Sequence, residues 1–360
     1  MTLALDTVEA LQDAVREGPR VLPVGGGTKP AQSEPPSDDV VAVDVSGLRG
    51  IVDYDPAELT FTALAGTPVA EIDAALGEHG QYLPFDPPLA AAGATLGGVV
   101  AAGTSGSNAF RHGGVRDFVL GVRFVDGTGR LVAGGGRVVK NAAGFDLPKL
   151  MVGSAGRLGV IVQLSLKVFP RPRATTTLSF ALESTQAALG VVAALGRSAL
   201  DLDALDLEPP GRVLVRVGGD AALLDGRAAR LAAAVAAPCE RIDGPEDAAL
   251  WREVGALGWV PAGSRAVRVG LTARDVAEVQ AVLEPAGAPV RYSLGANAAW
   301  IAWPEDQDLS ALDGVLSALG VAGMVLTGPS HRRLLGAPGG GAFADRIRAA
   351  LDPDDRFPKD

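Results

Sequence analysis

The chain has 360 residues, 48% hydrophobic and 21% charged, which excludes disorder; it exceeds the length at which one core usually keeps growing, so two domains are expected. A formal charge of −10 and a pI near 4.9 exclude nucleic acid or an anionic membrane surface as partner, since either needs a basic face. The single cysteine, Cys239, excludes an internal disulfide and any iron–sulfur cluster held by this chain's thiolates alone, and three scattered histidines (His79, His112, His331) do not make a closed zinc site. Cys239 is expected as a semi-buried thiol.

In chain order, residues 1–6 reach Asp6 too early for a secretory leader, which points to the cytoplasm. A helix is expected over 8–16, with Val8, Leu11, Ala14 and Val15 on one face. A short strand over 21–24 runs into the first glycine cluster, and strands follow over 40–45 and 59–64. A helix over 68–76 takes Thr67 as its N-cap and Glu71 in its first turn. The longest uncharged stretch, 87–110, matches a bilayer span in length, but Pro87, Pro88 and its glycines make it loops around a short buried helix; no membrane-spanning segment is expected. Runs over 118–124 and 130–133 flank Asp126-Gly127-Thr128-Gly129 as a hairpin. A strand over 158–168 ends at Pro170-Arg171-Pro172, the expected domain boundary. Beyond it, strands over 175–181, 213–217, 266–271, 298–302 and 324–327 alternate with helices over 185–194, 221–236, 248–254, 275–283 and 309–319. That order reads as a largely antiparallel sheet with helices on one face. No repeat of fixed period stands out, although the outline allows two similar halves. A last helix is expected over 342–351, after the glycine-rich 336–341.

Glycine is abundant, 47 residues, and densest between Gly93 and Gly159, which implies tight turns and close backbone approach to something bound. The first cluster is Pro23-Val24-Gly25-Gly26-Gly27-Thr28-Lys29. Three successive residues without Cβ let peptide N–H groups converge on one concavity, a phosphate nest; the alternative is a plain glycine turn. It is not a dinucleotide fingerprint, because Pro30 stands where the third glycine belongs. Nor is it a P-loop, because the order is Gly27-Thr28-Lys29. The second cluster, Gly93-Ala94-Thr95-Leu96-Gly97-Gly98 followed by Gly103, Gly106 and Gly113, lets a flat ring or a pyrophosphate lie against backbone. Leu96 and Val99 would then point inward and Thr95 would bond the ligand; the alternative is a close helix–strand crossing. The third cluster runs from Gly153 through Gly156 and Gly159 to Ile161, with a plain turn as its alternative. His331 is a candidate base, with an ordinary imidazole pKa of about 6.5, or else a surface residue. Arg268 is a candidate bidentate partner for a substrate carboxylate, or else a member of a structural salt bridge. Lys140 and Asn141 either reach a cofactor or end a strand, and Trp251, Trp259, Trp300 and Trp303 are expected mostly in a core.

Taken in this order, these segments resemble the FAD-binding domain of the vanillyl-alcohol oxidase/PCMH superfamily and, within it, the small FAD-binding subunits of bacterial glycolate oxidase (dehydrogenase). The runs that carry the resemblance are Gly93-Ala94-Thr95-Leu96-Gly97-Gly98, Gly114-Val115-Arg116-Asp117-Phe118-Val119-Leu120-Gly121, and Lys140-Asn141-Ala142-Ala143-Gly144-Phe145-Asp146-Leu147. Leu150-Met151-Val152-Gly153-Ser154, Leu158-Gly159-Val160-Ile161 and Leu166-Lys167-Val168 continue it. The C-terminal half matches weakly. The resemblance implies an α+β protein: a PCMH-type two-subdomain FAD-binding domain over 1–170, a smaller α+β cap of antiparallel sheet plus helices over 173–330, and a C-terminal return segment over 331–360.

The resemblance also implies FAD as cofactor, held non-covalently because Thr28 stands where some members carry a flavin-linking histidine. Pro23, Gly25, Gly26, Gly27, Thr28 and Lys29 would form the pyrophosphate loop. Pro87, Gly93, Thr95, Gly97, Gly98, Gly103 and Ser107 would line the flavin and its ribityl-diphosphate chain. Gly153, Gly159 and Ile161 would hold the adenine side or the back of the ring. The His-x-Gly-Asp-Gly-Asn-x-His segment and the Glu-His of related catalytic subunits are absent, Ala299-Trp300 replaces an Arg-Trp pair, and the chain closes on Asp352-Pro353-Asp354-Asp355-Arg356-Phe357-Pro358 rather than near Asn-Pro-Gly. The implied function is an FAD-binding subunit of a 2-hydroxy-acid-oxidising, glycolate dehydrogenase-like complex. Its partners would be a second FAD subunit carrying the hydroxy-acid site and an iron–sulfur subunit. Two alternatives stay open: a free-standing FAD-dependent oxidoreductase of a small hydroxy acid or alcohol, and a non-catalytic assembly subunit with a vestigial flavin pocket.

Overall fold

Strands in the first half of the chain build two larger sheets, besides the short antiparallel pair of Gln81–Tyr82 with Phe169–Pro170. In the computed structural model, which describes residues 2–136, 145–330 and 332–359, a parallel sheet orders Thr2–Ala4, Val40–Asp44 and Arg20–Val24. A five-stranded antiparallel sheet orders Ile51–Asp55, Thr60–Leu64, Val160–Lys167, Val119–Val125 and Leu131–Gly135. The expectations for Lys140, Asn141 and His331 lie outside the described residues.

Helix Val8–Glu17 starts where the Thr7 hydroxyl accepts from the Ala10 N–H and buries Leu11 and Val15. These meet Val21, Val43, Val125, Val160 and Phe357 in one cluster. Burying a ring such as Phe357 contributes on the order of 2–3 kcal/mol. It is held there by backbone: the Asp352 carboxylate accepts from the N–H groups of Arg356 and Phe357, and Val21 N–H donates to the Arg356 carbonyl. The hairpin at Asp126 forms because its carboxylate accepts from Thr128 N–H, the Thr128 hydroxyl and Arg130 N–H. One cap differs from expectation. Helix Val69–Gly77 follows Pro68 and is not capped by Thr67, whose hydroxyl donates to the Leu64 carbonyl and accepts from Gly50 N–H.

The chain divides into two units: Met1–Ser105, Gly114–Pro170 and Gly340–Asp360 make the first, and Gly106–Gly113 with Arg171–Gly339 the second. The stretch 106–113, placed by sequence within 1–170, clusters with the second unit because Ser107 donates to Asp206 at 2.6 Å and Arg111 pairs with Asp203 and Asp201. Residues 332–339, placed in the return segment, cluster there too, because Leu334–Gly336 is an edge strand of its sheet.

The second unit is organised around a nine-stranded antiparallel sheet. Its order reveals the two halves. The first half runs Ala174–Ala181, helix Thr185–Gly196, Ala204–Glu208, Arg212–Gly219, helix Ala221–Val235, Cys239–Asp243. The second runs Ser264–Gly270, helix Val276–Leu283, Val290–Ser293, Ala298–Pro304, helix Ser310–Leu319, Ala322–Val325. Numbered within each half, the strands lie 4-1-3-2 and then 2-3-1-4, so the second strands meet, at Leu207 opposite Tyr292. Each half has the β-α-β-β-α-β order of a ferredoxin-like motif. Trp251, Trp300 and Trp303 are buried. Cys239 is exposed on an edge strand rather than semi-buried, because the residues around it in Cys239–Asp243 are polar and mostly exposed.

Candidate functional site

The site begins with a short helix. The Thr95 hydroxyl caps Leu96–Ala102 by accepting from Gly98 N–H at 3.3 Å, and Gly103, in the left-handed region at φ 64°, ends it. Leu96, Val99 and Val100 are fully buried, so the small residues are left for the other face. Gly97 donates its N–H to the Ala65 carbonyl at 2.8 Å, and a Cβ there would lie 2.7 Å from the Ala65 methyl.

The first glycine cluster lies directly on the second. A Cβ on Gly26 would sit 1.9 Å from the Gly93 carbonyl oxygen, and one on Gly25 would sit 2.3 Å from the Thr95 hydroxyl. The third cluster closes from the opposite side. Gly153 and Ala155 donate N–H groups to the carbonyls of Val100 and Ala101, and a Cβ on Gly156 would lie 2.5 Å from the Pro23 ring. Three turns far apart in the sequence thus converge on one cleft within the first unit.

The structure brings Pro23, Gly25, Gly26, Gly27, Thr28, Lys29, Thr95, Gly97, Gly98, Gly159 and Ile161 together in its lining. Gln32, Ser33, Val45, Ala65, Ala101, Ala102, Ala155 and Gly156 also line it. Sequence reasoning missed these. Gln32 and Ser33 ride on the four-residue helix Pro30–Ser33, and Val45 and Ala65 directly follow strands. Ala155 and Gly156 lay within the third cluster, and Ala101 and Ala102 between the glycines of the second, but none was singled out as a site residue. Pro87, Gly93, Gly103 and Gly153 are not in the lining; Gly93 and Gly103 instead form close backbone contacts that hold the turns together. Ser107 does not line this cleft either: it belongs to the second unit, where its hydroxyl is taken by Asp206. Two further hydroxyls at the same turns, Thr104 Oγ1 and Ser154 Oγ, are buried without a hydrogen-bond partner among the described residues.

Electrostatically the cleft is one-sided. Among the described residues, its lining holds no carboxylate and one titratable group, Lys29, which is 7% exposed. No ion pair joins Lys29 to an acid among the described residues, and burial brings its ammonium down from 10.5 to about 8. Holding that charge out of water costs on the order of 3 kcal/mol. Arg157, 5% exposed, adds a second cation beside the lining, donating to the Ala155 carbonyl at 2.6 Å. A glycine-lined cleft with a desolvated ammonium, and no carboxylate in its described lining, fits a diphosphate.

Residues 3–135 match the family model described as FAD binding domain. The match spans less than half of the chain. It contains the first two glycine clusters and most of the cleft lining, and FAD is the cofactor such a domain takes. Over 171 residues the chain is 45% identical to glycolate oxidase subunit GlcE of Escherichia coli (strain K12), covering 48% of each chain. Over 172 residues it is 29% identical to glycolate oxidase subunit GlcD of Bacillus subtilis (strain 168), covering 48% of this chain and 36% of that one. The chain therefore matches less than half the length of these relatives. Among solved structures it superposes on an alkyldihydroxyacetonephosphate synthase with a TM-score of 0.72 at 17% identity, covering 99% of this chain and 75% of that one. At that identity the likeness concerns the fold alone, and the fold is the PCMH-type α+β architecture that the sequence resemblance implied. Among the described residues no helix is long and apolar enough to cross a membrane.

Of the two catalytic candidates, only Arg268 is described. It sits on Ser264–Gly270 in the second unit, its guanidinium 5.8 Å from the Trp300 ring. Its Nε is buried without a hydrogen-bond partner, and burial lowers its pKa. It is not in a salt bridge with any described acid, whereas nearby Arg291 pairs with Asp206 at 2.8 Å and with Glu208.

Proposed function

We propose that this chain holds FAD non-covalently in the cleft of its first unit and serves as the FAD-binding subunit of a glycolate dehydrogenase-like complex that oxidises 2-hydroxy acids. The observation that carries this reading is the convergence of three glycine turns around a buried Lys29 that pairs with no acid among the described residues. The likeness to two glycolate oxidase subunits supports the substrate class. In this reading Gly25 to Lys29 receive the diphosphate on their N–H groups and the Lys29 ammonium. Thr95, Gly97 and Gly98, with Gly159 and Ile161, form the walls. The bound cofactor supplies acceptance of a hydride equivalent and onward transfer of single electrons. Thr28, in place of a linking histidine, keeps the attachment non-covalent.

The same reading assigns the hydroxy-acid site to a second FAD subunit and iron–sulfur ligation to a third chain, since Cys239 is this chain's only thiol. It places the complex in the cytoplasm. A second reading, a free-standing FAD-dependent oxidoreductase, is favoured by Arg268, whose buried Nε has no hydrogen-bond partner among the described residues and would suit a substrate carboxylate.

Purified chain reconstituted with FAD separates these readings. A flavin spectrum that is lost on acid or denaturant treatment, with the flavin released free, is the expected result. Reduction by glycolate or D-lactate is expected only after the partner subunits are added. Reduction by the chain alone favours the second reading, and a chain that stays colourless overturns both.

A further inference from the structure

The inference here rests on FAD occupying the first unit's cleft. We propose that FAD binding by this chain is coupled to proton uptake at Lys29, so that affinity falls as the solution becomes alkaline while the other contacts stay intact.

The surroundings of Lys29 decide its charge. The elements packed around the cleft contribute Gly25 to Thr28, Gln32 and Ser33, Val45, Ala65, Thr95 to Ala102, and Ala155 to Ile161. Among the described residues, none of the lining residues other than Lys29 is titratable. Among the described residues, the charged groups next to the lining in sequence are Glu34, which follows Ser33, Asp44, whose carboxylate accepts from Ser46 N–H at 2.8 Å, and Arg157, whose guanidinium donates to the carbonyls of Ala155 and Gln32. None of them sets the state of Lys29; burial lowers its ammonium to about 8. The free chain therefore has a half-neutral lysine in mildly alkaline solution. A dianionic diphosphate in contact with Lys29 restores the charge and raises its pKa.

The sign follows directly. Below about pH 8 Lys29 is charged in both free and bound chains, and affinity does not depend on pH. Above it the free chain has lost a proton that the complex retains. Each further pH unit then weakens binding by up to about tenfold, until the bound-state pKa is reached. Arginine at the same place stays charged and removes the dependence, whereas methionine removes the charge and the dependence together.

The test is calorimetric titration of the apo chain with FAD, from about pH 7 to about pH 9, in two buffers of different ionisation enthalpy. The expected result is a constant Kd near neutrality, a rise of up to about tenfold per unit above about pH 8, and proton uptake climbing from near zero toward one. Lys29→Arg is expected to bind FAD with no uptake, and Lys29→Met to bind more weakly with no uptake. Any titration of the flavin itself persists in Lys29→Met and is subtracted. FAD bound with a flat Kd, or with equal uptake in wild type and Lys29→Met, overturns the coupling while leaving the cleft assignment standing. A chain that binds no FAD at any pH overturns both.

Discussion

In the second unit, buried acids have bases on neighbouring strands or loops. Asp247 takes both Thr175 and Thr177 hydroxyls and the Arg216 guanidinium, Asp206 takes Arg291 and Ser107, and Asp203 takes Arg111. In the first unit, buried Asp126 and Asp352 are answered by backbone N–H groups, yet the equally buried Lys29 has no acid among the described residues. Charges that serve only the fold are answered inside the fold. Lys29, and in the second unit Arg268, break that pattern, and both are where a ligand is proposed.

The largest effect is expected from Asp247→Ala. It leaves Arg216, Thr175 and Thr177 facing a gap, with Trp251 still bonded to Thr177 at 2.8 Å. Loss of a buried partner of this kind destabilises by about 3–5 kcal/mol, read as a lower denaturation midpoint in urea. Lys29→Met is expected to do the opposite to the apo chain. Because the folded pKa of Lys29 lies below its unfolded value, its charged form is a burden at neutral pH that fades as pH rises from about 8 to 10.5. The variant is thus expected to be more stable than wild type by up to about 3 kcal/mol near neutrality, with the gap closing in alkali. A variant no more stable than wild type would mean that Lys29 has a partner after all. The smallest effect sharpens the account of the cleft. Gly26→Ala drives a methyl into the Gly93 carbonyl and is expected to destabilise by about 1–3 kcal/mol and weaken FAD binding. Gly27→Ala meets open space and carries only the strain of a φ of 63°, roughly 1–2 kcal/mol. Equal losses in thermal melts of the two variants would argue against direct contact between the two turns.

Much of this was legible because periodicity and glycine spacing are local signals. Helix Val8–Glu17, the Asp126 hairpin and the strand Val160–Lys167 all lie within a few residues of their expected bounds. Gly25 and Gly26 were legible as special, but the sequence suggested ligand approach, whereas part of the requirement is contact with Gly93 and Thr95. Strands Ala204–Glu208 and Cys239–Asp243 were not legible. Asp206 interrupts the apolar pattern of the first while being fully buried against Arg291, and the second is a polar edge with almost no inward face. Ser107 illustrates the same limit: its hydroxyl bonds Asp206, 99 residues away, and no local pattern announces that distance. The two halves of the second unit surface as an order of elements, not as repeated residues, because the motif requires only alternating strands and helices of suitable length.

The seating of Phe357 beside Leu11, Val21 and Val43 has a consequence for synthesis. The second unit is made wholly of residues up to Gly339, so it is complete on the ribosome before the first unit has its last piece. The first unit therefore closes only with residues synthesised after the whole of the second. Until its final segment emerges, the nascent chain carries an apolar socket open to water beside its earliest strands.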